Sequence, residues 1–584
     1  MEKIWQFYPK FPEKILEENS DKNQFILQLL YNRGLKTKDD FAWFFDLVNL
    51  DFFDPFLFDD MEKAIDLIIS HIKLGNKIMI YGDYDADGVT SAALLYDVFS
   101  VFKAKVDFYL PDRVSEGYGL NKTAIEEIKK EDFKLIITVD NGIRNKEEVD
   151  YAKGLGLDII VTDHHTLPEK REDLPNCLII NPADEKSSYP FRYLAGVGVA
   201  FKLASALIKK SKLEDKDKEK LICKSLDLVA LGTVADMVPL LGENRLMVKK
   251  GLEALNETKR FGLQELIKIS GLSGNLNSYN IGFQLGPRLN AASRIKHANS
   301  ALNLLIVKDE QEAKNLAEEL NNRNSERQKV TEELMSSAES QINPENIEKI
   351  IIVKNSKEDA WNEGVIGLVA GKLSEKYYRP SVVIAKTSEV FEDEHGQKKE
   401  IYKGSGRSIE GFNLVEALEE NKDILYKYGG HPMAGGFSII GDHNMLLFVD
   451  RLRERADKIL DEKTLTPKIK IDLELDFEDI NDLLIEGLEE MAPFGQSNPA
   501  PKMASFDVKI IDVVKMGNEG QHIKFRFLDD KKNSLKNFWG ISFGGTKKYS
   551  ELSIGDRVSV VYNLEFNNFN GNRDIQLKIV DIKK

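Results

Sequence analysis

The stretch IMIYGDYDADGVTSAALL, residues 78–95, decides the fold because it joins a short apolar run to a helical pattern through a loop of alternating acids. The run IMIY has the length and composition of a buried β-strand. Asp83, Asp85 and Asp87 follow it at alternate positions. This order predicts a strand-to-helix turn with carboxylates at the C-terminal end of the strand, where open α/β sheets bind their ligands.

The same alternating acids also begin an EF-hand calcium loop, which requires a bidentate Glu at its twelfth position. Counted from Asp83, that position is Leu94, and an apolar strand precedes the loop where an EF-hand has a helix. A calcium-binding EF-hand is therefore excluded.

Further short apolar runs follow, namely KVDFYL, KLIITV, LDIIVT and CLII. They alternate with helical stretches such as 123–130 and 146–155. This βαβ pattern predicts a doubly wound parallel sheet within about residues 61–210.

Acids recur where these strands end. Asp140 follows one run in VDNG, and Asp163, His164 and His165 follow the next, while Asp236 is a lone acid within the apolar stretch LVALGTVADMVPL. A buried carboxylate without a partner is costly, and a metal ion is an obvious partner. Any single Asp could instead cap a turn, but the recurrence together with the His-His pair favours a metal site.

Oxygen-rich ligands with one imidazole suit manganese or magnesium better than zinc. Two such ions, roughly 3.5–4 Å apart, would activate a water and neutralise a phosphoryl transition state. Adjacent histidines do not readily bind one ion together, so one would be a ligand while the other faces the phosphate.

Other phosphate-binding signatures are missing, since the sequence contains neither G-x-x-x-x-G-K-[ST] nor H-E-x-x-H. The stretches GSGR at 404–407 and GGHPMAGG at 429–436 supply Ser405, Arg407 and His431 on flexible backbone. Such turns could present N–H groups and Arg to phosphate, or could be plain turns.

Length and composition predict a soluble multidomain protein. The 584 residues suggest roughly three to five domains, and 42% hydrophobic with 30% charged residues is ordinary for globular chains. Two cysteines exclude a disulfide framework, and no apolar run reaches the length of a membrane span, so we expect no membrane association and a cytoplasmic location. The net charge of -15 argues against a nucleic-acid binder, but it is uneven, because the last 84 residues carry a net positive charge.

The second half of the chain divides into three patterns. Residues 309–341 lack Gly and Pro, and their apolar residues thin out in the middle, which favours a long helix bridging two domains. A second α/β unit follows at 345–462, with strands IEKIIIV and PSVVIA. Five short strands near the C-terminus are consistent with a small OB-like barrel.

These residues resemble the DHH phosphoesterase superfamily and, within it, the RecJ family of single-stranded-DNA-specific exonucleases. The ordered matches cover most of the chain. They are GDYDADGVTS at 82–91, PDRVSEGYGLN at 111–121, VDNGI at 139–143, VTDHH at 161–165, LGTVADMVPL at 231–240, GPRLNAASR at 286–294, GVIGLVAGKLSEKYYRPSVVI at 364–384, GSGRSIEGFNL at 404–414 and YGGHPMAGGFSI at 428–439.

The resemblance implies an α/β chain in five parts. These are an N-terminal segment (1–60), a DHH catalytic domain with a parallel sheet (61–308), a connecting helix (309–344), a second α/β domain of the DHH-associated type (345–462) and an OB-like nucleic-acid-binding barrel (463–584). It also implies a 5′→3′ exonuclease on single-stranded DNA that uses two manganese or magnesium ions, releases 5′-mononucleotides and serves DNA repair and recombination. A monomer is expected, with single-stranded DNA as substrate and a single-stranded-DNA-binding protein (SSB) and a helicase as partners.

The resemblance further assigns roles to residues of this sequence. Those at metal-ligand positions are Asp85, Asp87, Asp140, His164 and Asp236. Asp83 is expected to orient the turn, and His165 to contact the scissile phosphate or the leaving group. Those expected to bind DNA are Arg113, Ser405 and Arg407 at the 5′-phosphate, Tyr118 on a terminal base, Arg288, Asn290 and Arg294 on the backbone, and His431 at the far side of the cleft.

Three positions depart from the family pattern: Asn141 stands where Cys is frequent, Ser293 where Gly is usual, and Asn362 where many relatives carry His. Three other functions stay open at this point. They are a nanoRNase or cyclic-dinucleotide phosphodiesterase, which would lack the barrel, a non-catalytic DNA-binding scaffold, which would not need the intact ligand set, and an inorganic pyrophosphatase, which would be much shorter.

Overall fold

The structure is a computed structural model that describes residues 3–19, 22–46, 51–113, 115–295, 298–355, 361–392, 396–531, 535–569 and 572–584. Val114, within the PDRVSEGYGLN motif, lies outside these ranges. No helix among the described residues combines the length and apolar character needed to cross a membrane.

The N-terminal segment packs against the C-terminal part of the chain. Its elements are β1 (Ile4–Phe7), α1 (Glu13–Glu18), α2 (Gln24–Asn32) and α3 (Lys38–Phe45). β1 pairs in parallel with β12 (Lys468–Ile471), and Phe41 and Phe44 join the barrel's apolar core. The first residues of the chain therefore fold with the last ones.

The first α/β unit contains a five-stranded, wholly parallel sheet in the order β3-β2-β4-β5-β6. Its strands are β2 (Lys77–Tyr81), β3 (Lys105–Tyr109), β4 (Phe133–Val139), β5 (Asp158–Thr162) and β6 (Leu178–Ile180). The order reverses between β2 and β4, and ligands of doubly wound sheets bind at such a switch point. All five apolar runs predicted to be strands form this sheet.

Helices cover both faces of this sheet and continue beyond it. They are α4 (Met61–Leu74), α5 (Ala86–Val101), α6 (Lys122–Lys130), α7 (Lys146–Gly154), α8 (Gly196–Lys210), α9 (Asp215–Ala235), α10 (Gly242–Asn256), α11 (Phe261–Ile269), α12 (Ser278–Asn280), α13 (Gly286–Ile295) and α14 (Asn299–Ile306). A π-helical turn over Ile281–Leu285 joins α12 to α13, and short 3₁₀ turns lie at Pro55–Leu57 and Arg171–Asp173.

The predicted long helix forms as α15 (Glu310–Glu339), whose 30 residues span about 45 Å at 1.5 Å per residue. It begins at Asp309, whose side chain accepts a hydrogen bond from the N–H of Glu312 (2.8 Å). α15 packs on α11, α13 and α14 of the first unit and on α16 of the second.

The second α/β unit has a mixed sheet in the order β10-β11-β9-β8-β7, in which only β7 and β8 pair in parallel. Its elements are β7 (Ile351–Lys354), α16 (Ile366–Tyr377), β8 (Ser381–Glu392), β9 (Lys398–Arg407), α17 (Leu414–Glu419), β10 (Leu425–His431), β11 (Ala434–Ile440) and α18 (Asp442–Ile459).

The C-terminal unit is a closed β-barrel, because β14 pairs with both β15 and β17. After β12 come β13 (Leu473–Glu474), a 3₁₀ turn (Phe477–Asp479), α19 (Asp482–Glu490), β14 (Met503–Met516), β15 (His522–Asp529), β16 (Lys536–Ser542), β17 (Arg557–Phe569) and β18 (Asn572–Lys583). The predicted fold class, with a parallel-sheet unit, a long helix, a second α/β unit and a barrel, is confirmed.

Arg245 on α10 joins the first unit to the barrel. Its guanidinium is fully buried and donates to the carbonyl oxygens of Met491 and Glu490, both at 2.8 Å, and of Phe44 at 3.4 Å. Burial lowers the pKa of Arg245 to about 9. A buried charge held by carbonyl groups fixes the barrel relative to the first α/β unit.

Candidate metal centre and substrate cleft

The acids that follow the parallel strands meet at one edge of the sheet. Asp85 caps α5, since its Oδ1 accepts hydrogen bonds from the N–H groups of Asp87 (3.0 Å) and Gly88 (3.1 Å). Asp87 extends its carboxylate to the start of α8, where the N–H groups of Gly196 and Val197 donate at 2.7 and 2.8 Å. A helix N-terminus stabilises such a negative charge.

Two glycines make this approach possible. A Cβ at Gly196 would lie 2.6 Å from the Cβ of Asp140, and one at Gly232 would lie 2.3 Å from Oγ1 of Thr90. α8 and α9 can therefore touch the acid-bearing strand ends only because these positions lack a side chain.

His164 is the centre of the acid cluster. Its Nε2 lies 3.0 Å from Oδ1 of Asp140, 3.7 Å from Oδ2 of Asp236 and 4.0 Å from Oδ2 of Asp87. Asp83, Asp85 and Asp140 also bring oxygens within 4.8 Å of one another. The structure thus gathers into one cluster every side chain predicted as a metal ligand, together with Asp83.

Three atoms of the cluster are buried without a hydrogen-bond partner among the described residues: Oδ1 of Asp83, Oδ1 of Asp140 and Nε2 of His164. Buried polar atoms in folded proteins nearly always have a partner. The donor set of several carboxylates and one imidazole is the one that manganese and magnesium accept. The cluster therefore fits divalent cations.

The charges of the cluster repel one another when no cation is present. Burial, followed by the charges of neighbouring carboxylates, raises the pKa of Asp83, Asp140 and Asp236 well above the usual value, and that of Asp87 to about 7. Burial and the neighbouring imidazole lower the pKa of His164 to about 4, so His164 is a neutral donor. Asp140 also has a left-handed backbone (φ 63°), a strained conformation that is concentrated at functional sites.

His165 points to a different partner. Its Nδ1 lies 2.8 Å from Oδ1 of Asp163, and the carboxylate of Asp163 also accepts from the N–H groups of His164 (2.7 Å), His165 (3.1 Å) and Ile143 (3.0 Å). Burial opposes a charge on His165, but the bond to Asp163 and its charge raise the pKa of the imidazole. Asp163 thus fixes the ring of His165 and leaves Nε2 for the substrate.

The sequence placed Asp163 among the acids at the strand ends but assigned it no role of its own. Its position in TDHH was visible, but a run of three polar residues does not reveal which one orients the others. The hydroxyl of Tyr118 donates to the carbonyl oxygen of Asp140 (3.1 Å) on this side of the cluster, while the residue as a whole remains 47% exposed.

A cleft of about 650 Å³ lies between the first and second α/β units. It is lined from one side by Arg113, Tyr118 and Arg294 and from the other by Ser405 and Arg407. The guanidinium of Arg113 lies 5.0 Å from the ring centre of Tyr84, and Nη1 of Arg294 donates to the carbonyl oxygen of Gly364 (2.8 Å). The cleft therefore presents cations and aromatic rings, and Tyr118 connects it to the acid cluster through its hydrogen bond to Asp140.

Lys403 on β9 also lines this cleft, and the sequence did not single it out. It lies two residues before Ser405, so both side chains project from the same face of the strand. Its Nζ is 2.8 Å from Oε2 of Glu363. An alternating pattern in a strand predicts a shared face but not which lysines line a cleft.

Three of the predicted DNA-binding residues do not line this cleft. Oδ1 of Asn290 accepts from the N–H of Ala86 (2.7 Å), so Asn290 holds the acidic loop. Arg288 donates to Oδ1 of Asn321 (3.1 Å) and to the carbonyl oxygen of Gln284 (2.7 Å). His431 is exposed at the end of β10 and is not among the residues that line the cleft.

The three departures from the family pattern have local hydrogen bonds. Asn141 donates to the carbonyl oxygen of Val139 (2.9 Å), Ser293 donates to that of Asn290 (3.2 Å), and Asn362 accepts from the N–H of Gly364 (2.8 Å). Each replacement is accommodated within its own turn or helix.

Comparisons with known proteins agree with this architecture. Family models match residues 77–233 (DHH family, N-terminal domain), 348–460 (DHHA1 domain) and 471–581 (RecJ OB domain). The single-stranded-DNA-specific exonuclease RecJ of Bacillus subtilis is 40% identical over 570 residues, which cover 97% of this chain and 69% of that protein. RecJ of Haemophilus influenzae is 32% identical over 543 residues, or 89% of this chain and 90% of that protein.

The fold also matches a solved structure over its full length. The crystal structure of RecJ in complex with Mn²⁺ from Thermus thermophilus covers 100% of this chain and 79% of its own, with a TM-score of 0.81 and 27% sequence identity. Fold and site together are those of a DHH phosphoesterase, a metal-dependent hydrolase. Identity over most of the chain defines the narrower group. The chain belongs to the RecJ family of single-stranded-DNA-specific exonucleases, and the resemblance inferred from its motifs is confirmed.

Proposed function

We propose that this protein degrades single-stranded DNA from the 5′ end and releases 5′-mononucleotides by metal-dependent hydrolysis. One observation carries the proposal: the buried acid-and-imidazole cluster lies beside a cleft whose walls carry Arg113, Ser405 and Arg407. The cluster suits a scissile phosphate with its metal ions, and the cleft suits a terminal phosphate one nucleotide away. Manganese and magnesium are the proposed ions, in agreement with those named for the Thermus thermophilus structures.

The proposed metal ligands are Asp85, Asp87, Asp140, His164 and Asp236. Bound there, the two ions would activate a water molecule and offset the charge that develops on the phosphate. The chain supplies the rest: the α8 N-terminus holds Asp87, and the left-handed Asp140 turns its carboxylate toward His164. Asp83 is buried beneath the turn between β2 and α5 and maintains the shape of that turn.

His165 acts on the substrate side of the cluster. Held by Asp163 through Nδ1, its imidazole presents Nε2 toward the scissile phosphate, where it stabilises charge or protonates the leaving oxygen. Tyr118 stacks on the terminal base, a contact that every base can make. Arg294 lies between the cleft and Asp85 and binds the strand's backbone.

The 5′→3′ polarity follows from two phosphate-binding sites, one at the metal cluster and one in the cleft. Arg113, Ser405 and Arg407 bind the terminal 5′-phosphate by charge-assisted hydrogen bonds, which places the first internucleotide phosphate at the metal cluster. His431, exposed at the end of β10 and outside the residues that line the cleft, contacts the strand at the far side. The barrel, whose last 84 residues carry a net positive charge, holds the strand that has not yet been cut.

Several wider assignments belong to the same proposal. Residues 61–308 form the catalytic domain, 309–344 the connecting helix, 345–462 the DHH-associated domain and 463–584 the nucleic-acid-binding barrel, with 1–60 as an N-terminal segment. The protein acts as a monomer in the cytoplasm, in DNA repair and recombination. An SSB protein and a helicase are its proposed partners.

The test is digestion of 5′-phosphorylated single-stranded DNA labelled at one end or the other, with and without manganese. A 5′ label should appear at once as a mononucleotide, while a 3′ label should shorten gradually. The variant Asp140→Asn serves as the inactive control. Release of the 3′ label first, or equal digestion of blunt duplex, would overturn the proposal.

A further inference from the structure

The inner face of the connecting helix α15 is apolar near both ends but polar in the middle. Positions 320, 324, 327, 331 and 334 share one face, because they follow the 3.6-residue period of a helix. Leu320 and Leu334 are buried and apolar, as expected for this face, but Asn324, Arg327 and Thr331 lie between them. The polar stretch therefore lies between the part of α15 that packs on the first unit, at Leu320, and the part that packs on the second, at Leu334.

Two of these polar side chains have groups that lack a partner. Oδ1 of Asn324, a residue only 3% exposed, and Nε of Arg327 have no hydrogen-bond partner in the described part of the chain. Nε of Arg294, across the interface on α13, also lacks a hydrogen-bond partner among the described residues. Buried polar groups left without partners are costly, so these three are available to bind a further polar group.

The arginines around this place form a continuous group. Arg327 is close enough to Arg288 and Arg294 for their charges to influence one another, and Arg294 is in turn close to Arg113 and Arg407. Burial is the largest cause that lowers the pKa of Arg294 to about 9, and the positive charges of neighbouring arginines lower it further. Within the described residues, none of the five has an ion pair with a carboxylate, although the sequence contains 96 acidic residues.

Arg288 and Arg327 lie outside the cleft that contains Ser405 and Arg407, since neither is among its lining residues. They therefore continue the positive surface beyond the proposed 5′-phosphate site, on the side of the connecting helix. A guanidinium is well suited to bind a phosphate through two hydrogen bonds.

We propose that Arg327 is a substrate-binding residue that contacts an internucleotide phosphate of the single strand together with Arg288. This rests on the proposed exonuclease function and deepens it, because it makes the connecting helix a wall of the DNA path. Asn324, one turn earlier, supports the same contact by offering its amide to the phosphate or the sugar.

The test uses the full chain in the Asp140→Asn background with manganese and a 5′-phosphorylated oligothymidylate, followed by fluorescence anisotropy at several salt concentrations. Removing one phosphate contact should reduce the slope of log K against log salt by about 0.7, the value for single strands. Arg327→Gln should therefore bind about tenfold more weakly and lose this part of the slope. Arg327→Met, which keeps the apolar stem, is measured beside it in case the amide weakens folding.

Arg323→Gln is the matched control, because Arg323 lies one turn away on the same helix but is already paired with Glu319 and donates to Ser300 (2.8 Å). It should leave affinity and slope unchanged. An unchanged slope in both Arg327 variants would overturn the inference, even if affinity fell, since it would show a purely structural role. A loss confined to 5′-phosphorylated strands and absent with 5′-hydroxyl strands would also overturn it.

Failure of the proposed function gives a different result. In that case the parent protein would release no 5′-mononucleotide from the labelled strand with manganese. If the parent digests the strand and the Arg327 variants keep their affinity and slope, the exonuclease proposal stands and the connecting-helix contact does not.

Discussion

Nε2 of His164 lies 3.0 Å from Oδ1 of Asp140, and both atoms are buried without a hydrogen-bond partner among the described residues. A neutral imidazole and a carboxylate this close would normally share a proton. Their orientation toward a common point, with Asp236 and Asp87 within 4.0 Å of the same nitrogen, is the arrangement of ligands around a cation.

Asp140→Asn should abolish hydrolysis with little effect on folding. Asn tolerates the left-handed backbone of this position, so the turn is kept. Without metal, the variant should be at least as thermostable as the parent, because it removes one of several repelling carboxylates. Thermal shift assays check this, and manganese at a hundredfold excess over its Kd should stabilise only the parent, by about 2.7 kcal/mol. Equal stabilisation of both proteins would remove Asp140 from the ligand set.

Asp163→Asn should lower kcat by about 10–100-fold, the usual effect of losing a residue that orients a ligand or a catalytic histidine. KM and the manganese-dependent rise in Tm should change little, because Asp163 contacts His165 and backbone N–H groups. Asp158→Asn, at the exposed start of the same strand, is the control. A normal kcat in Asp163→Asn would mean that His165 needs no orientation.

Arg407→Gln should reduce the preference for 5′-phosphorylated over 5′-hydroxyl strands. A hydrogen bond to a charged group contributes about 1.5–3 kcal/mol, so the ratio of kcat/KM values should fall by roughly 10–100-fold. Hydrolysis of 5′-hydroxyl strands should hardly change. Arg453→Gln, in an exposed ion pair with Glu348, provides the control. If Arg407→Gln kept the preference for 5′-phosphorylated strands, the terminal phosphate would have to bind elsewhere.

Arg245→Met should destabilise the contact between the barrel and the catalytic unit. The change leaves carbonyl groups of Met491, Glu490 and Phe44 without a donor, at about 1–3 kcal/mol each. We expect a lower Tm and a stronger loss of activity on long strands than on short ones. Lys249→Met on the same helix is the control. Unchanged digestion of long strands would show that the barrel does not depend on this residue.

Much of the fold could be predicted because its signals are local. The runs that became β2 to β6 are short, apolar and rich in β-branched residues, and the acids after them necessarily meet at one sheet edge. Asp236 was recognised because an acid within an apolar stretch needs a partner, and in the structure it directly follows α9, which ends at Ala235.

Other features depend on contacts between distant parts of the chain, and no local pattern encodes them. β1 pairs with β12 across more than 460 residues, and Phe41 packs in a barrel formed by the end of the chain. Asn290 carries the same side chain whether it binds DNA or holds Ala86, so its role depends on three-dimensional position. The inner face of α15 was likewise visible as a gap in apolar residues, but the sequence does not show that Arg327 lies close enough to Arg288 for their charges to interact.

The central claim is that these acids and His164 hold two metal ions at the edge of the parallel sheet. Anomalous diffraction from manganese-soaked crystals tests it most directly. We predict two peaks roughly 3.5–4 Å apart, bounded by Asp85, Asp87, Asp140, His164 and Asp236. A single peak, or none within reach of Asp140 and His164, would contradict the account.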